Sequence, residues 1–392
     1  GTSYTVTVSG SAAATDLTSV TGDTSGAITS SGVTNITGTA ATVTAAFGDT
    51  ELTTLGTSYT VAVTGSAAAT DLTAISGDTS GAITASGITN VTGAVTAVAA
   101  NVADTELTSL SASYTATITG SAVATDLTSI TGDTSGAIIA SGVTNITGTA
   151  AEITGAFGDT ELTTLGTSYT VTVSGSAAAT DLTSVTGDTS GAIIASGVTN
   201  ITGTAATVSA AFGDTELTTL GTSYTVTLTG SAAATDLSAV TGDTSGAITA
   251  SGVTNITGTA ATVSAAFGDT ELTTLGTSYT VTVAGSAAAT DLTAVTGDTS
   301  GAIISSGVTN ITGTAATISA AFGDTELTTL GTSYTVTVAG SAAATDLTAI
   351  SGDTSGAITA SGITNVTGTV TAVAANVADT ELTSLSASYT AT

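Results

Sequence analysis

The acidic side chains are the residues here whose type and spacing could support chemistry. Asp16, Asp23, Asp49 and Glu51 come first, and the same four return in each of seven 55-residue repeats, with Glu152 added once. Asp49 and Glu51 form the closest pair. Two carboxylates can act as general acid and general base, as in glycoside hydrolysis. A catalytic centre copied into every repeat of an array is not expected, however, so the pair predicts no enzyme. Oxygen ligands without a counter-charge are what Ca²⁺ takes, which makes Asp23, Asp49, Glu51 and their repeats the candidate cation ligands. Neither GDTSG nor GDTEL has the spacing of an EF-hand loop, and the nonapeptide calcium repeat is absent. The plainer roles are solvated helix charges for Asp16 and Glu51, and turn or cap residues for Asp23 and Asp49. Like charges one repeat apart, about 10 Å, repel by only about 0.4 kcal/mol in water, so folding does not require a cation.

What is missing narrows the chemistry further. The chain has no Lys, Arg, His or Cys, and its formal charge is −29. That removes the histidine-based serine triad, the thiol nucleophile, the Schiff base and the phosphate-binding P-loop, together with the usual zinc ligands. Nucleic acid is not a partner, because phosphate contacts need Lys or Arg. No apolar run is long enough for a membrane span. Cations, neutral glycans and further copies of the chain are left as partners. Charged residues make up 7% of the sequence and apolar ones 41%, a balance that favours folding over disorder.

Two neutral patterns complete the inventory. Asn35-Ile36-Thr37 is an N-x-T sequon, repeated at Asn90, Asn145, Asn200, Asn255, Asn310 and Asn365. It reads either as a glycan acceptor or as a ladder of Asn side chains bonding between neighbouring strands. Thr5 and Thr7 share one strand face, a pattern suited to an ice- or glycan-binding surface, but Ala62 interrupts it in the second copy.

The elements that must position these residues follow from the repeat. GTSYTVTVSG at Gly1 returns as GTSYTVAVTG at Gly56, as SASYTATITG at Ser111, and again, unchanged or with small substitutions, at Gly166, Gly221, Gly276 and Gly331. The units are 1–55, 56–110, 111–165, 166–220, 221–275, 276–330 and 331–385, with an eighth begun at 386–392. Each unit divides into two half-repeats of about 27 residues, since VSGSAA at Val8 resembles ITGTAA at Ile36. Copies two and seven share a variant, TAVAANVADTELTSLSASYTA, starting at Thr96 and Thr371. Tyr4–Val8 alternates apolar and polar residues and reads as a strand. Gly26–Ser30 and Val33–Thr37 read as two short strands with a bend at Ser31-Gly32. Ser11 is the expected N-cap of a helix over Ala12–Val20, Thr39 of one over Ala40–Phe47, and Asp49 of a last turn holding Leu52 and Leu55.

Strand followed by short helix, twice per unit, predicts a β-rich repeat solenoid with a parallel ladder and short helical corners, running as one array over 1–392. Paired strands lie about 4.8 Å apart and packed helices about 8–10 Å. Helices alternating between opposite sides of successive coils would therefore give a straight rod, whereas helices on one side would force curvature. Tyr4, Val6, Val8, Val20, Ile28, Val33, Ile36, Val43, Phe47, Leu52 and Leu55 are expected inside, stacked on their counterparts at multiples of 55.

The segments SGSAAATDL, TGDTSGAI, GVTNITGTAA and AAFGDTELTTLG resemble the repeat arrays of giant secreted cell-surface proteins of bacteria. They are most similar to those of marine unicellular cyanobacteria, including surface proteins associated with swimming motility. The resemblance covers the whole chain. It implies an extracellular fibre or surface appendage and brings no catalytic residues. The second copy departs from the first with Val102, Ala103 and Ser111 in place of Phe47, Gly48 and Gly56. The expected function is structural: a fibre, filament or spacer on or outside the cell. The alternatives are a Ca²⁺-stiffened adhesin stalk and an ice- or glycan-binding surface. The chain is expected to continue at both ends, or to associate with itself head to tail or laterally.

Overall fold

The computed structural model describes residues 3–392, apart from 53, 108–109, 167–168, 218, 222, 273, 277–278, 300, 328, 332, 383–384 and 386–388. Packing divides the chain into two units. One is Gly1–Ala177, Asp181–Gly197 and Thr215–Leu220; the other is Ala178–Thr180, Val198–Asp214 and Gly221–Thr392. Both are built as a β-rich repeat solenoid, strand and helix alternating.

The first repeat supplies β1 (Val6–Ala13), α1 (Ala14–Asp23), β2 (Ile28–Gly38) and α2 (Ala40–Phe47). The second supplies β3 (Thr60–Ala68), α3 (Ala69–Asp78), β4 (Ile83–Ala94) and α4 (Val95–Val102). β1 pairs with β2, β2 with β3 and β3 with β4, always parallel and in chain order. The second unit repeats the pattern, for example from Thr225–Ala233 to Ile248–Gly258 to Thr280–Ala288. Parallel neighbours need a crossover connection, and here each crossover is one short helix.

The register differs from simple stacking at multiples of 55. Ile36 pairs with Ala12 on one side and Val61 on the other; Val61 lies 49 residues after Ala12, so the ladder slides by six residues in each 55-residue repeat. Counterparts therefore alternate with the other half-repeat and do not sit directly above one another. β2 has 11 residues against 8 in β1; two of the extra residues enter as register shifts between Thr7 and Ser9 and between Gly10 and Ser11, and Gly38 runs past the last pair, Ala13 with Thr37. The bend expected at Ser31-Gly32 is thus a bulge inside one continuous strand. Gly10 meets it with φ at 82°, a backbone conformation open to glycine at little cost.

The ladder also moves the first helix. Ser11, Ala12 and Ala13 pair with Asn35, Ile36 and Thr37, which holds Ser11 in the strand. The helix begins at Ala14 with Ala13 at the N-cap and no capping side chain. Pairing with β2 outweighs a single cap. Thr39 does cap α2, accepting from the Thr42 N–H at 3.3 Å. In the third repeat Glu152 completes a capping box with Thr149, accepting from its N–H at 2.9 Å, so the extra carboxylate has a structural role.

Consecutive helices pack on one another: α1 on α2, α2 on α3 and α3 on α4. The geometric basis for a straight rod, helices alternating between sides, is therefore not what the chain adopts. Within each unit the helix layer must follow a longer arc than the strand layer. Short side chains ease the mismatch. Ala14, Ala40 and Ala46 are fully buried, and small residues let helix axes approach.

Most of the expected core is inside. Ile28, Ile36 and Val43 are fully buried, as are Val61, Val63 and Ile75, the second-copy counterparts of Val6, Val8 and Val20. Tyr4 is 46% exposed at the first strand, while its counterpart Tyr59 is 3% exposed. Phe47, Leu52 and Leu55 are only half-buried, because Phe47 ends α2 and the two leucines sit on the turn that follows it, not between the layers. Thr24, missed by the apolar pattern, is buried. Its hydroxyl donates to the Tyr4 carbonyl at 2.8 Å and accepts from the Gly26 N–H at 3.0 Å, which closes the end of α1.

Two substitutions test this packing. A Cβ on Gly81 would overlap the Tyr59 carbonyl, so Gly81→Ala should destabilise its repeat by about 2 kcal/mol or more, the scale of forced overpacking. Ser305 is fully buried with no partner for its hydroxyl, and Ala250 and Ala360 are fully buried at the matching positions. Ser305→Ala should therefore stabilise by about 1 kcal/mol, the desolvation cost of an unpaired hydroxyl. Urea unfolding with amide-exchange readout in the affected repeat measures both.

Candidate functional site

The carboxylates are segregated. Asp16 lies in the first turn of α1, Asp23 is its last residue, and Asp49 and Glu51 follow α2. None of the 29 acidic residues lies in a strand. The helix layer and its corners carry the whole negative charge.

Asp49 and Glu51 are brought together by their turn. The Glu51 N–H donates to Asp49 Oδ1 at 3.2 Å, and the Thr50 hydroxyl donates to Glu51 Oε2 at 3.1 Å. The Glu51 carbonyl accepts from the Ile28 N–H at 2.9 Å, fixing the turn beside the start of β2. The neighbouring Glu51 carboxyl and then the Thr21 hydroxyl hold the Asp49 carboxyl below the ordinary aspartate value, with the Glu51 N–H adding to this. Asp49 thus stands beside α1, which carries Thr21. Of the expected cation ligands, Asp49 and Glu51 meet, but Asp23 does not join them: among the described residues no three acidic side chains converge into a metal site.

The exposed face of the sheet is neutral. Thr29, Ser31 and Thr34 are exposed on β2, as are Thr60 and Thr64 on β3. In three other copies the Thr29 position holds Ile139, Ile194 or Ile304, each 36–37% exposed. Asn35 bridges strands on this face. Its Nδ2 donates to the Ser11 hydroxyl at 3.2 Å, and its Oδ1 accepts from the Thr60 hydroxyl at 2.9 Å. The Thr60 pattern recurs at Asn145–Thr170, Asn200–Thr225 and Asn310–Thr335. The side chain of the sequon is thereby used within the ladder.

Two further Asn residues escaped the sequence reading. Asn101 and Asn376 occupy the position of Ala46 in the variant copies and are buried. Asn101 Nδ2 donates to the Ala69 carbonyl at 3.0 Å and the Thr73 hydroxyl at 3.1 Å, clamping α4 to α3. A polar residue in an otherwise apolar helical stripe was the signal available in the sequence.

At the junction of successive repeats an aromatic pair forms. Phe47 and Tyr59 have ring centroids 5.5 Å apart, and Phe157–Tyr169, Phe212–Tyr224, Phe267–Tyr279 and Phe322–Tyr334 follow at 5.6–5.7 Å. The Tyr59 hydroxyl donates to the Asp78 carbonyl at 3.3 Å. Burial, with the nearby Asp78 charge adding, pushes the Tyr59 phenol well above its ordinary value.

The acid response has opposite signs at two sites. In the second unit the Glu271 carboxyl, then the Thr241 hydroxyl, hold Asp269 below 3.8. A depressed folded-state value contributes stability that is present above 3.8 and lost as pH falls toward the folded value. Asp269→Asn should therefore be less stable than the parent at pH 7, with the difference closing below 3.8. Burial raises Asp298 above 3.8. Its folded form gains stability as pH falls, so Asp298→Asn should be slightly more stable than the parent at pH 7. Denaturant melts across pH measure both.

No family model and no curated protein sequence matches the chain. A solved structure described as the crystal structure of Rad7 and Elc1 complex in yeast aligns over 73% of this chain and 70% of its own, at 7% identity and a TM-score of 0.16, a similarity too low to carry an argument about fold or function.

Proposed function

We propose that this chain is a structural repeat array that works on or outside the cell as a spacer or fibre, that it associates with copies of itself, and that it catalyses no reaction. One observation supports this most directly: each repeat covers the apolar surface of the one before it. Tyr59, just before β3, and Val61 and Val63 within it are fully or nearly buried at the junction of the first and second repeats, a surface that no single repeat can shield. An array of this kind extends by adding units, and length is its useful property.

Composition supports the extracellular part of the reading. Without Lys or Arg there is no site for trypsin, and without Cys, Met or Trp there are few targets for oxidation. A regular ladder opens locally only at a cost in free energy. These traits suit a long-lived fibre.

Two measurements test the proposal. Antibody against the chain should label unpermeabilised source cells or their medium; label confined to the cell interior would overturn the location. The folded chain, stripped of cations with EDTA, should resist proteinase K for hours. Rapid digestion regardless of calcium would remove the self-sufficient array, and digestion that calcium alone prevents would favour a cation-stiffened stalk.

A further inference from the structure

The junction between repeats carries a cleft that the structural reading does not use. A cavity of about 220 Å³ opens beside the Phe47–Tyr59 pair, lined also by Leu52, Leu55, Thr57 and Asp78. A second of about 210 Å³ opens at the equivalent place, lined by Phe157, Leu162, Thr163, Leu165 and Asp188. Each joins an aromatic ring and two leucines to one exposed aspartate.

The chemistry of the lining selects its ligand. Asp78 is the last residue of α3, so its carboxylate stands at the end of the helix where the dipole is negative. The Tyr59 hydroxyl, the obvious donor, is already committed to the Asp78 carbonyl. What remains open is a ring face, aliphatic carbon and a carboxylate. Anions are repelled, and a neutral sugar would find acceptors with few donors. A cation with carbon around its charge fits all three features: the ring attracts it through its quadrupole, the leucines cover its carbon, and the carboxylate neutralises it. A bare metal ion finds no ring of oxygen ligands here, since no three acidic groups converge among the described residues.

The chain contains its own closed version. In the second repeat Val102 stands in place of Phe47. Leu107 is 7% exposed, where Leu52 is half-buried. Tyr114 is fully buried, and its hydroxyl donates to the Asp133 carboxylate at 3.1 Å instead of to a carbonyl. The leucine is drawn in and the carboxylate is satisfied internally. The Phe junctions leave both free.

We propose that the clefts at Phe47 and Phe157, and by repetition of the same aromatic pair the junctions at Phe212, Phe267 and Phe322, are binding sites for small organic ammonium ions, held between the aromatic ring and the aspartate at Asp78, Asp188, Asp243, Asp298 and Asp353. The inference is independent of where the protein acts, so its failure leaves the structural proposal standing. The aspartate side chains are largely exposed, yet partial desolvation still raises Asp188, Asp243 and Asp298 above the ordinary aspartate value, a cost that an ammonium in the cleft would offset.

The test uses the full chain, calorimetric titration and two probes of one shape: choline and its neutral isostere 3,3-dimethylbutan-1-ol. At about 0.15 M salt, where loose counterion attraction is screened, choline should saturate the five Phe junctions of the chain in the millimolar range and bind about tenfold more tightly than the alcohol. Replacing all five Phe by Val, the residue already present at Val102 and Val377, should abolish saturable binding. The five Asp→Asn changes at exposed positions keep the fold and should bring choline down to the level of the alcohol. Equal affinity for the two probes, unchanged binding in either variant, or no saturation would each overturn the assignment.

Discussion

A parallel strand satisfies its backbone only when other strands lie on both edges, about 4.8 Å away. That spacing is tighter than a helix can match, and much of this architecture follows from the conflict. The chain resolves it in favour of the ladder. Strands keep continuous pairing, absorb their unequal lengths as bulges, and slide by six residues per repeat. The helices accommodate by presenting alanine to one another. Where that alanine becomes Asn101, the larger side chain is tolerated because its amide donates across the contact to Ala69 and Thr73.

The same competition explains what was legible in the sequence. The period, the parallel solenoid and the alternation of strand with short helix follow from patterns that act within a few residues, and Thr39 could be recognised as a cap because nothing contests it. Ser11 could not. Its local signal is that of an N-cap, yet the partners that hold it extended, among them Asn35, are 24 residues away. The side on which helices lie is likewise a property of how coils stack. Half-burial of Phe47, Leu52 and Leu55 was hidden for a related reason: hydropathy marks them as core, but the end of α2 and the turn after it lie outside the two layers. Of the acidic candidates, the Asp49–Glu51 contact was visible from spacing alone. The separation of Asp23 from that pair depends on the length α1 reaches, three residues past the expected end at Val20.

Charge placement completes the account. An all-acidic chain would repel itself if its carboxylates lined the ladder, where strands are closest. Keeping all of them in helices and turns puts them in the layer with wider spacing and free access to solvent, where repulsion at about 10 Å costs only tenths of a kcal/mol. The strands are left with hydroxyls and amides, which can bond to their neighbours. Asn35 does so on both sides at once, linking Ser11 to Thr60, and so contributes to the coherence of the sheet without contributing to its charge.

The six-residue slide gives the array a natural unit of inheritance. Recombination between similar repeats in register removes or inserts multiples of 55 residues, and each such event rejoins a β2-type strand to a β1-type strand in the register of the junctions already present. Loss of half a repeat would set like against like, a strand of eight or nine residues against its own kind or one of eleven against its own kind, with no bulge to reconcile them. Length can therefore vary among descendants in whole quanta while each intermediate folds, and a lineage can lengthen or shorten its array without redesigning any interface.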